Sequence, residues 1–367
     1  CKKDDELKPQ PAEKTNGVKT AALKTSGVSF LMAYNTRGIA RVTGKTQAGD
    51  NYPNPNQTDV NYNVGGTDLG IMWDLGAGHT GIFFGDTFGS DWSYTIGGGN
   101  GSNWRSNVAA YSNDQNLDDG LTFTGMLTDD NGKAKEVIPS PHNTSGNGSF
   151  TSIPTAAVRI GTVDYVHYMD IRQWGTPGNW TTNSSSLYTS SNNGKTWSQA
   201  PGVSFSAASN FAQAAYAKKD GYVYMVGTRS GRFGAAYLLR FLYKDVLQQA
   251  EYEYWNATNG WVKNDETAAT KIFDSPVGEI SLVYNTHFNR WIVTYLADWP
   301  DGIVMRDAAN ITGPWTKART VVSAITTPGL YGAFIHPQKN NSDDLYFLMS
   351  VWNPYNVFLV KTKLKLQ

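Results

Sequence analysis

The sequence contains a single cysteine, and that cysteine is residue 1 of 367. A chain with one cysteine can form neither an intrachain disulfide nor a metal site built from several cysteines. Charged residues are also few, at 17%, and 31 Lys and Arg balance 31 Asp and Glu. This balance argues against a nucleic-acid-binding protein, which would show a basic excess, and against an acidic disordered chain. No apolar run approaches the roughly 18 residues of a transmembrane helix, so the sequence predicts none.

Glycine and aromatic residues are what the sequence has in quantity. Glycine accounts for 37 residues, and Trp, Tyr and Phe together make up 13% of the chain. Short apolar runs, such as those at 69–73, 80–84, 222–227 and 291–295, alternate with clusters of Gly, Asn, Asp and Ser. Runs of about 4–8 residues that are rich in Val, Ile, Tyr and Phe favour strands over helices. One short amphipathic stretch, 244–252, is the candidate for a helix.

A turn followed by an aromatic residue recurs along the chain, at Gly120, Gly194, Gly260 and Gly313. These glycines lie 53 to 74 residues apart, and residues 28–367 divide into five units of about 68 residues. Segment 190–197 resembles the Asp-box hairpin of sialidase-type propellers, with Asn at the Asp position. The sequence therefore predicts an all-β fold, a single five-bladed β-propeller domain over 28–367 with four-stranded blades. A two-domain β protein is the alternative, although 28–367 contains no recognisable linker.

The N-terminal segment 1–27 is rich in Lys, Thr, Pro and Glu and has few large apolar residues. This composition is typical of a flexible tether. A chain that begins at Cys1 resembles a bacterial lipoprotein after signal-peptide removal, and the charged residues that follow resemble the surface-export signal of Bacteroidetes lipoproteins. The resemblance predicts lipidation of Cys1 and a surface-exposed place on the outer membrane. The alternative is a chain that starts at Cys1 by chance, with charges that only solvate the terminus.

Two aspartates stand near the ends of the densest motif region, 65–89. The runs 69–75 and 80–84 predict a hairpin, and a hairpin centred on Ala77 would place Asp68 opposite Asp86. Opposed residues share a face of the sheet, with Cβ atoms about 4.5–5.5 Å apart. Because two facing carboxylates repel, one should hold its proton more tightly than the other, as a general acid and its partner require. The alternatives are that each Asp only caps a Gly-rich turn, or that a one-residue bulge breaks the alignment.

Seven short motifs, in order along the chain, carry a resemblance to a known family. They are Val-Thr-Gly at 42–44, Gly-Thr-Asp-Leu-Gly at 66–70, Phe-Gly-Asp-Thr-Phe at 84–88, Trp-Arg-Ser-Asn at 104–107, Gly-Thr-Arg-Ser-Gly-Arg at 227–232, Gly-Glu-Ile-Ser at 278–281, and Tyr-Gly at 331–332 followed by His-Pro at 336–337. The chain resembles a bacterial family long catalogued as a domain of unknown function, whose members include the endo-D-arabinanases of glycoside hydrolase family 183. The resemblance implies a five-bladed propeller that cleaves internal D-arabinofuranosyl linkages, with Asp68 and Asp86 as the catalytic carboxylates.

The later motifs and nearby aromatic residues supply candidate substrate-binding residues, and each has a structural alternative. The candidates are Arg105, Asn107, Arg232, Glu279, Tyr331, His336 and Trp352. An arginine can hydrogen-bond a sugar hydroxyl or tie two blades together, and Glu279 could be a third carboxylate that tunes the pair. Tyr331 and Trp352 could stack on sugar faces or belong to the core. His336 could line the pocket or cap a turn, and His167 fits a core position as well as a site.

The resulting prediction is a lipid-anchored glycoside hydrolase, endo-acting on D-arabinofuranosyl linkages of an arabinan-type polysaccharide. The sequence predicts no cofactor, no bound metal, no nucleic-acid partner and a monomeric state. One alternative is a non-catalytic surface lipoprotein that captures a glycan for a partner enzyme, since propellers host both roles. The other is an exo-acting hydrolase on another furanoside. The first alternative is distinguished by whether both carboxylates line one pocket with room for a sugar.

Overall fold

The computed structural model describes residues 29–298 and 300–367, and their regular structure is almost entirely β-strand. The 22 strands of the described residues, β1 to β22 in chain order, are Leu31–Arg41, Leu69–Gly76, His79–Phe84, Val108–Ser112, Gly125–Met126, Thr151–Ile160, Val163–Trp174, Trp180–Ser190, Ser198–Ser206, Gln213–Lys219, Tyr222–Thr228, Gly234–Leu242, Glu253–Asn256, Gly260–Lys263, Phe273–Val277, Ile280–Asn285, Arg290–Leu296, Ile303–Ala308, Arg319–Val322, Leu330–Ile335, Asp344–Val351 and Asn356–Leu366.

Helical structure is confined to short pieces in the described part of the chain. They are α1 (Thr58–Asn61) and three 3₁₀ turns, Tyr243–Asp245, Gln249–Glu251 and Glu266–Ala268. None of these helices has the length and apolar character needed to cross a bilayer. Cys1 and the predicted tether 1–27 lie outside the described residues, so lipidation and a membrane location stay predictions.

The strands form five antiparallel sheets, which are the five blades of a β-propeller. Blade 1 is β2 to β5, blade 2 is β6 to β9, and blade 4 is β16 to β19. Blade 3 runs from β10 to β14, with β15 paired to β12. Blade 5 has the order β20, β21, β22, β1. The predicted all-β, five-bladed propeller is confirmed.

The first strand of each blade lies at the propeller axis. β2 packs against β6, β6 against β10, β10 against β16, β16 against β20, and β20 against β2, which closes a ring of five strands. The contact between blades 1 and 2 is aromatic: Trp73 and Phe83 stack at 5.1 Å, and Trp197 meets both rings edge-on. Burial of such large rings between sheets holds neighbouring blades together.

The recurrent turns seen in the sequence occupy similar places in successive blades. Gly120, Gly194 and Gly313 lie between the third and fourth strands of blades 1, 2 and 4, and Gly260 lies in the β13–β14 turn of blade 3. The spacing of these turns along the sequence therefore follows from the repeat of the blades.

Two local predictions have different outcomes. The hairpin turn at 190–197 has the expected geometry, because Asn192 Oδ1 accepts the Thr196 amide at 2.9 Å in place of an Asp carboxylate. The expected amphipathic helix over 244–252 is wrong, since this stretch holds only two 3₁₀ turns. There Tyr252 stacks on Phe241 at 4.4 Å, so tertiary packing of this ring overrides the local helical pattern.

The propeller is closed by the strand at the start of the described chain. β1 pairs with β22 as the outermost strand of blade 5. Asp307 of blade 4 fixes where β1 begins, because its buried carboxylate accepts from the Leu31 amide at 3.2 Å and from Arg290 Nη1 at 2.6 Å. The same guanidinium donates to the Ser29 carbonyl at 2.7 Å. One buried ion pair thus ties blade 4 to the closing strand.

We predict that Asp307→Ala lowers the free energy of unfolding by about 3–5 kcal/mol, because it leaves a buried guanidinium without its partner. Urea unfolding monitored by tryptophan fluorescence measures the effect. Asp343→Ala is the matched control: Asp343 pairs with Lys363 at the surface, with side-chain exposures of 46% and 36%, and such pairs contribute about 0–1 kcal/mol. Equal losses in the two variants would contradict this role for Asp307.

Candidate active site

The starts of the five axial strands, β2, β6, β10, β16 and β20, surround a cavity of about 780 Å³. Its wall is mainly apolar and aromatic. Within residues 29–298 and 300–367, the charged side chains that line it are Asp68, Asp86, Glu279 and Arg232. A concave, largely apolar site with a few convergent charged groups is typical of a small-molecule or glycan site.

Two compensating bulges in the β2–β3 hairpin set the positions of the aspartates. The predicted register holds from Ile71↔Phe83 to Asp74↔Thr80, but Leu69 pairs with Phe84, so Gly70 is an extra residue on β2. The Gly85 amide then donates to the Asp68 carbonyl at 3.1 Å. The predicted opposition of Asp68 and Asp86 is therefore wrong by one residue. Both side chains nevertheless line the same cavity.

The register returns to the predicted one just beyond the pair. Thr67 and Thr87 meet through their hydroxyls at 2.6 Å, so Asp86 is the extra residue on the second strand. A bulged residue is freed from the ladder and its side chain is re-aimed. The Gly70 bulge needs glycine for two reasons: its φ is +101°, and a Cβ there would lie 2.8 Å from Leu348 Cδ1.

Asp68 is buried in a way that disfavours its charge. Its Oδ2 accepts the Tyr331 hydroxyl at 2.9 Å, whereas its buried Oδ1 has no hydrogen-bond partner among the described residues. This oxygen lies above Gly85, where an added Cβ would come within 2.4 Å of it. Burial, reinforced by the nearby charge of Asp86, raises the pKa of Asp68 to about 8 against the lowering effect of Tyr331. The carboxyl group is therefore protonated at neutral pH.

Asp86 is equally buried but better supplied with donors. Its Oδ1 accepts from Trp104 Nε1 at 2.7 Å and from Thr151 Oγ1 at 2.6 Å. Burial raises the pKa of Asp86 to about 6, while these two hydrogen bonds lower it. At neutral pH one carboxyl of the pair is thus neutral and the other ionised, which is the unequal proton affinity that the sequence predicts for a facing pair.

An outer network supports Asp86 from behind Trp104. His142 stacks on the Trp104 indole at 4.0 Å between ring centroids. Its Nε2 lies 3.1 Å from Glu136 Oε1 and 2.9 Å from Ser106 Oγ. Coulombic interaction with His142 lowers the pKa of Asp86, and that with Glu136 raises it. This network fixes the indole that donates to the carboxylate.

A second network supports Asp68. Glu279 accepts two hydrogen bonds from Arg232, at 2.7 Å from Nη2 and 3.1 Å from Nε. The guanidinium lies over the ring of Tyr331, 5.1 Å from its centroid, and the Tyr331 hydroxyl donates to Asp68. Glu279 Oε2 is buried and has no partner among the described residues. The structure thus brings Arg232, Glu279 and Tyr331 together with the aspartates.

Trp352 also lines the cavity and is 54% exposed, so its indole is available at the rim. His167 is fully buried and does not line the cavity, and its Nε2 lies 3.1 Å from the Ala212 carbonyl. It therefore has the core position that was one of its two predicted roles.

Three sequence-predicted residues do not line the cavity. Arg105 donates to the main-chain carbonyls of Asn63 and Ala134 at 2.9 and 2.8 Å. Asn107 is fully buried and donates to two further carbonyls at 2.8 Å. His336 accepts two turn amides at its Nδ1, at 3.3 and 3.2 Å. In each case the side chain is hydrogen-bonded to main-chain groups, so these three residues have a structural role in place of the predicted substrate-binding role.

The sequence-based reasoning missed several residues that the cavity or its support uses. They are Trp104, Thr151, His142, Tyr355, Trp174 and Trp180. Trp104 belongs to the 104–107 motif, but the sequence analysis took Arg105 and Asn107 from this motif as the candidates. The others carry no local motif, because their roles depend on contacts between distant parts of the chain. Within the described residues, no cluster of three His, Cys, Asp or Glu could hold a metal ion.

Comparison with known proteins agrees with this picture at the level of family and fold. The profile of a domain of unknown function, DUF4185, matches residues 53–361. The chain belongs to this family. It is 28% identical to notoamide biosynthesis cluster protein J of Aspergillus sp. (strain MF297-2), over 79% of this chain and 80% of that protein. A protein J′ of Aspergillus versicolor is 28% identical over 79% of this chain and 82% of that protein.

Solved structures with the same fold include a candidate hydrolase of Bacteroides ovatus ATCC 8483, with a TM-score of 0.56 and 14% sequence identity over 82% of this chain and 86% of that chain. The family assignment confirms the coarser part of the sequence resemblance, the domain of unknown function.

We predict that Asp68→Asn changes how stability depends on pH. Because the pKa of Asp68 is raised to about 8 in the folded state, this carboxyl holds a proton in the folded protein that it loses in the unfolded chain between about pH 4 and 8, so its contribution to stability falls as pH rises through that window. Asn cannot ionise, so the variant should gain stability relative to wild type between pH 5 and 8, by about 1.4 kcal/mol for each unit of pKa shift removed.

Thermal unfolding of both proteins across this pH range measures the effect. Asp265→Asn is the control, because Thr267 lowers the pKa of exposed Asp265 and this group is ionised in both states above pH 5. Its pH–stability curve should run parallel to that of the wild type. Parallel curves for Asp68→Asn as well would contradict a raised pKa at Asp68.

Proposed function

We propose that this protein is a glycoside hydrolase in which Asp68 and Asp86 are the reacting carboxyl groups. The observation that carries the proposal is the pair itself: two buried carboxyl groups of unequal proton affinity line one cavity large enough for sugar residues. Hydrolysis of a glycosidic bond requires one carboxyl group that gives a proton and one that is ionised. A non-catalytic capture protein would have no need to bury two carboxyl groups together at an energetic penalty.

The environments of the two groups assign their roles. Asp68, protonated at neutral pH, is the general acid and gives its proton to the oxygen of the departing sugar. Asp86, held ionised by Trp104 and Thr151, acts on the anomeric carbon, either directly as a nucleophile or by deprotonating water. In the first route Asp68 takes a proton from water as the water hydroxyl displaces Asp86 from the anomeric carbon, and this restores the acid. In the second route the water proton goes to Asp86 and returns to Asp68 through solvent, so one water molecule is consumed in both routes.

The charges of the cavity favour a neutral substrate. Arg232 is the cation that lines it in the described part of the chain, and Glu279 neutralises that guanidinium at 2.7 Å. Asp86 adds a negative charge. An anionic sugar would therefore find no unpaired cation and would face a carboxylate, whereas a neutral pentose or hexose needs only hydrogen bonds and an apolar surface.

Within neutral glycans we propose internal D-arabinofuranosyl linkages as the substrate. The support is the resemblance of the 66–70 and 84–88 motifs to the endo-D-arabinanases. An outer-membrane location through a lipid on Cys1 belongs to the same proposal and rests on the sequence alone.

Products from purified protein and a D-arabinan-containing arabinogalactan test the proposal. We expect short arabinose oligomers from the wild type, and a loss of about 10²–10⁴-fold in rate in Asp68→Asn and Asp86→Asn. Asp74→Asn is the matched control, since Asp74 lies at the other end of the same hairpin and does not line this cavity. If the wild type and all variants form no products but the wild type still binds the glycan, the non-catalytic capture function would take the place of the hydrolase proposal.

The pH profile of kcat/KM tests the two roles. Activity should fall below about pH 6, where Asp86 gains a proton, and above about pH 8, where Asp68 loses its proton. His142→Gln removes a charge that lowers the pKa of Asp86, so the acid limb should move to higher pH while the alkaline limb stays. His79→Gln, at the exposed tip of the hairpin, should leave both limbs in place. An unmoved acid limb in His142→Gln would contradict the assignment of that limb to Asp86.

A further inference from the structure

One hairpin of blade 2 extends past the rest of its sheet. β6 ends its pairing with β7 at Thr151↔Ile171, yet β7 and β8 stay paired as far as Trp174↔Trp180. Residues 172–181 therefore form an arm beside the cavity, here called the aromatic arm. Its residues 174–180 continue the cavity wall.

The aromatic arm is fixed rather than free-standing. The Arg232 amide donates to the Gly178 carbonyl at 2.8 Å. The Phe233 ring lies against Gly178, where an added Cβ would come within 3.0 Å of it, and the φ of Gly178 is +79°. The tip is thus anchored on blade 3, next to the guanidinium that supports Tyr331. A pre-formed surface loses little entropy when it binds a ligand.

Two features of the arm and of the residue packed on its tip have no partner among the described residues. Trp174, which lines the cavity, is 39% exposed, and Phe233, which packs on Gly178 at the tip, is 42% exposed. Trp180 meets Trp174 edge-on at 5.6 Å, and its Nε1 is buried without a hydrogen-bond partner among the described residues. An exposed aromatic patch and an unpaired buried donor each carry an energetic penalty that a ligand would relieve.

We propose that the aromatic arm is a glycan-binding subsite, separate from the point of cleavage, for the part of a neutral polysaccharide that leaves the cavity past blade 2. The inference rests on the proposed function. Residues 174–180 include no charged side chain, so the surface offers indole faces to the apolar C–H face of a sugar ring. Continuity with the carboxyl-lined cavity identifies the occupant as the same glycan chain.

Chain-length dependence tests this subsite. We compare KM for the polysaccharide with KM for the shortest oligosaccharide that is cleaved, in wild type, Trp174→Ala and Phe233→Ala. In each variant KM for the polysaccharide should rise by about tenfold relative to KM for the short oligosaccharide, equivalent to about 1.4 kcal/mol. The kcat for the polysaccharide should change little. Tyr52→Ala is the control, since Tyr52 is also 43% exposed and does not line the cavity. An unchanged ratio in both arm variants would overturn the subsite.

Binding to a catalytically inactive variant separates this inference from the hydrolase proposal. Asp68→Asn protein is titrated with D-arabinan and, in parallel, with neutral L-arabinan and xylan, and tryptophan fluorescence is recorded. A saturable change that disappears in the Asp68→Asn, Trp174→Ala double variant supports the arm even if the wild type hydrolyses nothing. No saturable change with any of the three glycans would overturn the subsite whether or not hydrolysis is seen.

Discussion

Two buried carboxyl groups, Asp68 and Asp86, line the same cavity of the propeller. The rest of the site depends on the electrostatic repulsion between them. Two such groups cannot both ionise without mutual repulsion and loss of hydration. The β2–β3 hairpin brings them together through two extra residues, Gly70 on one strand and Asp86 on the other, which shift the register out and back. Below the bulges the pairing is regular from Ile71 to Asp74, and Trp73 and Phe83 anchor this part in the core between blades. The regular, packed part of the hairpin therefore supports the irregular upper part.

The protein resolves the repulsion by making the two surroundings unequal. One oxygen of Asp86 accepts hydrogen bonds from an indole N–H and a hydroxyl, and these bonds stabilise its charge. Asp68 accepts one hydrogen bond from a phenol, and its other oxygen has no partner among the described residues. Glu279 is a third carboxylate in the same wall and raises the pKa of Asp68 further. Its pairing with Arg232 limits this repulsion. A wall that buries this many ionisable groups loses folding stability locally, and natural proteins accept such losses mainly at functional sites.

The blade count and the aspartate pair were predictable because their signals are local: turn residues recur at blade spacing, and the two Asp motifs are contiguous. The register at Asp68 was not, since the Gly70 bulge depends on the approach of Leu348 from blade 5. Arg105 and Asn107 show the limit of motif reasoning. They share a motif with Trp104, but which neighbour reaches the cavity depends on where main-chain carbonyls of other segments lie. His142 and the aromatic arm have no motif, because only the fold brings them to the site.

Arg232 connects the parts of the site that the sequence keeps apart. Its amide holds the tip of the aromatic arm, its guanidinium pairs with Glu279, and the same group lies over Tyr331, which donates to Asp68. In the proposed function, a ligand held on the arm is thus positioned by the residue that also contacts Tyr331, the donor to Asp68. Because one residue makes both links, a short chain of contacts connects the arm to the carboxyl pair. A hydrolase of the proposed kind needs such a connection to place one bond of a long chain at the reacting groups.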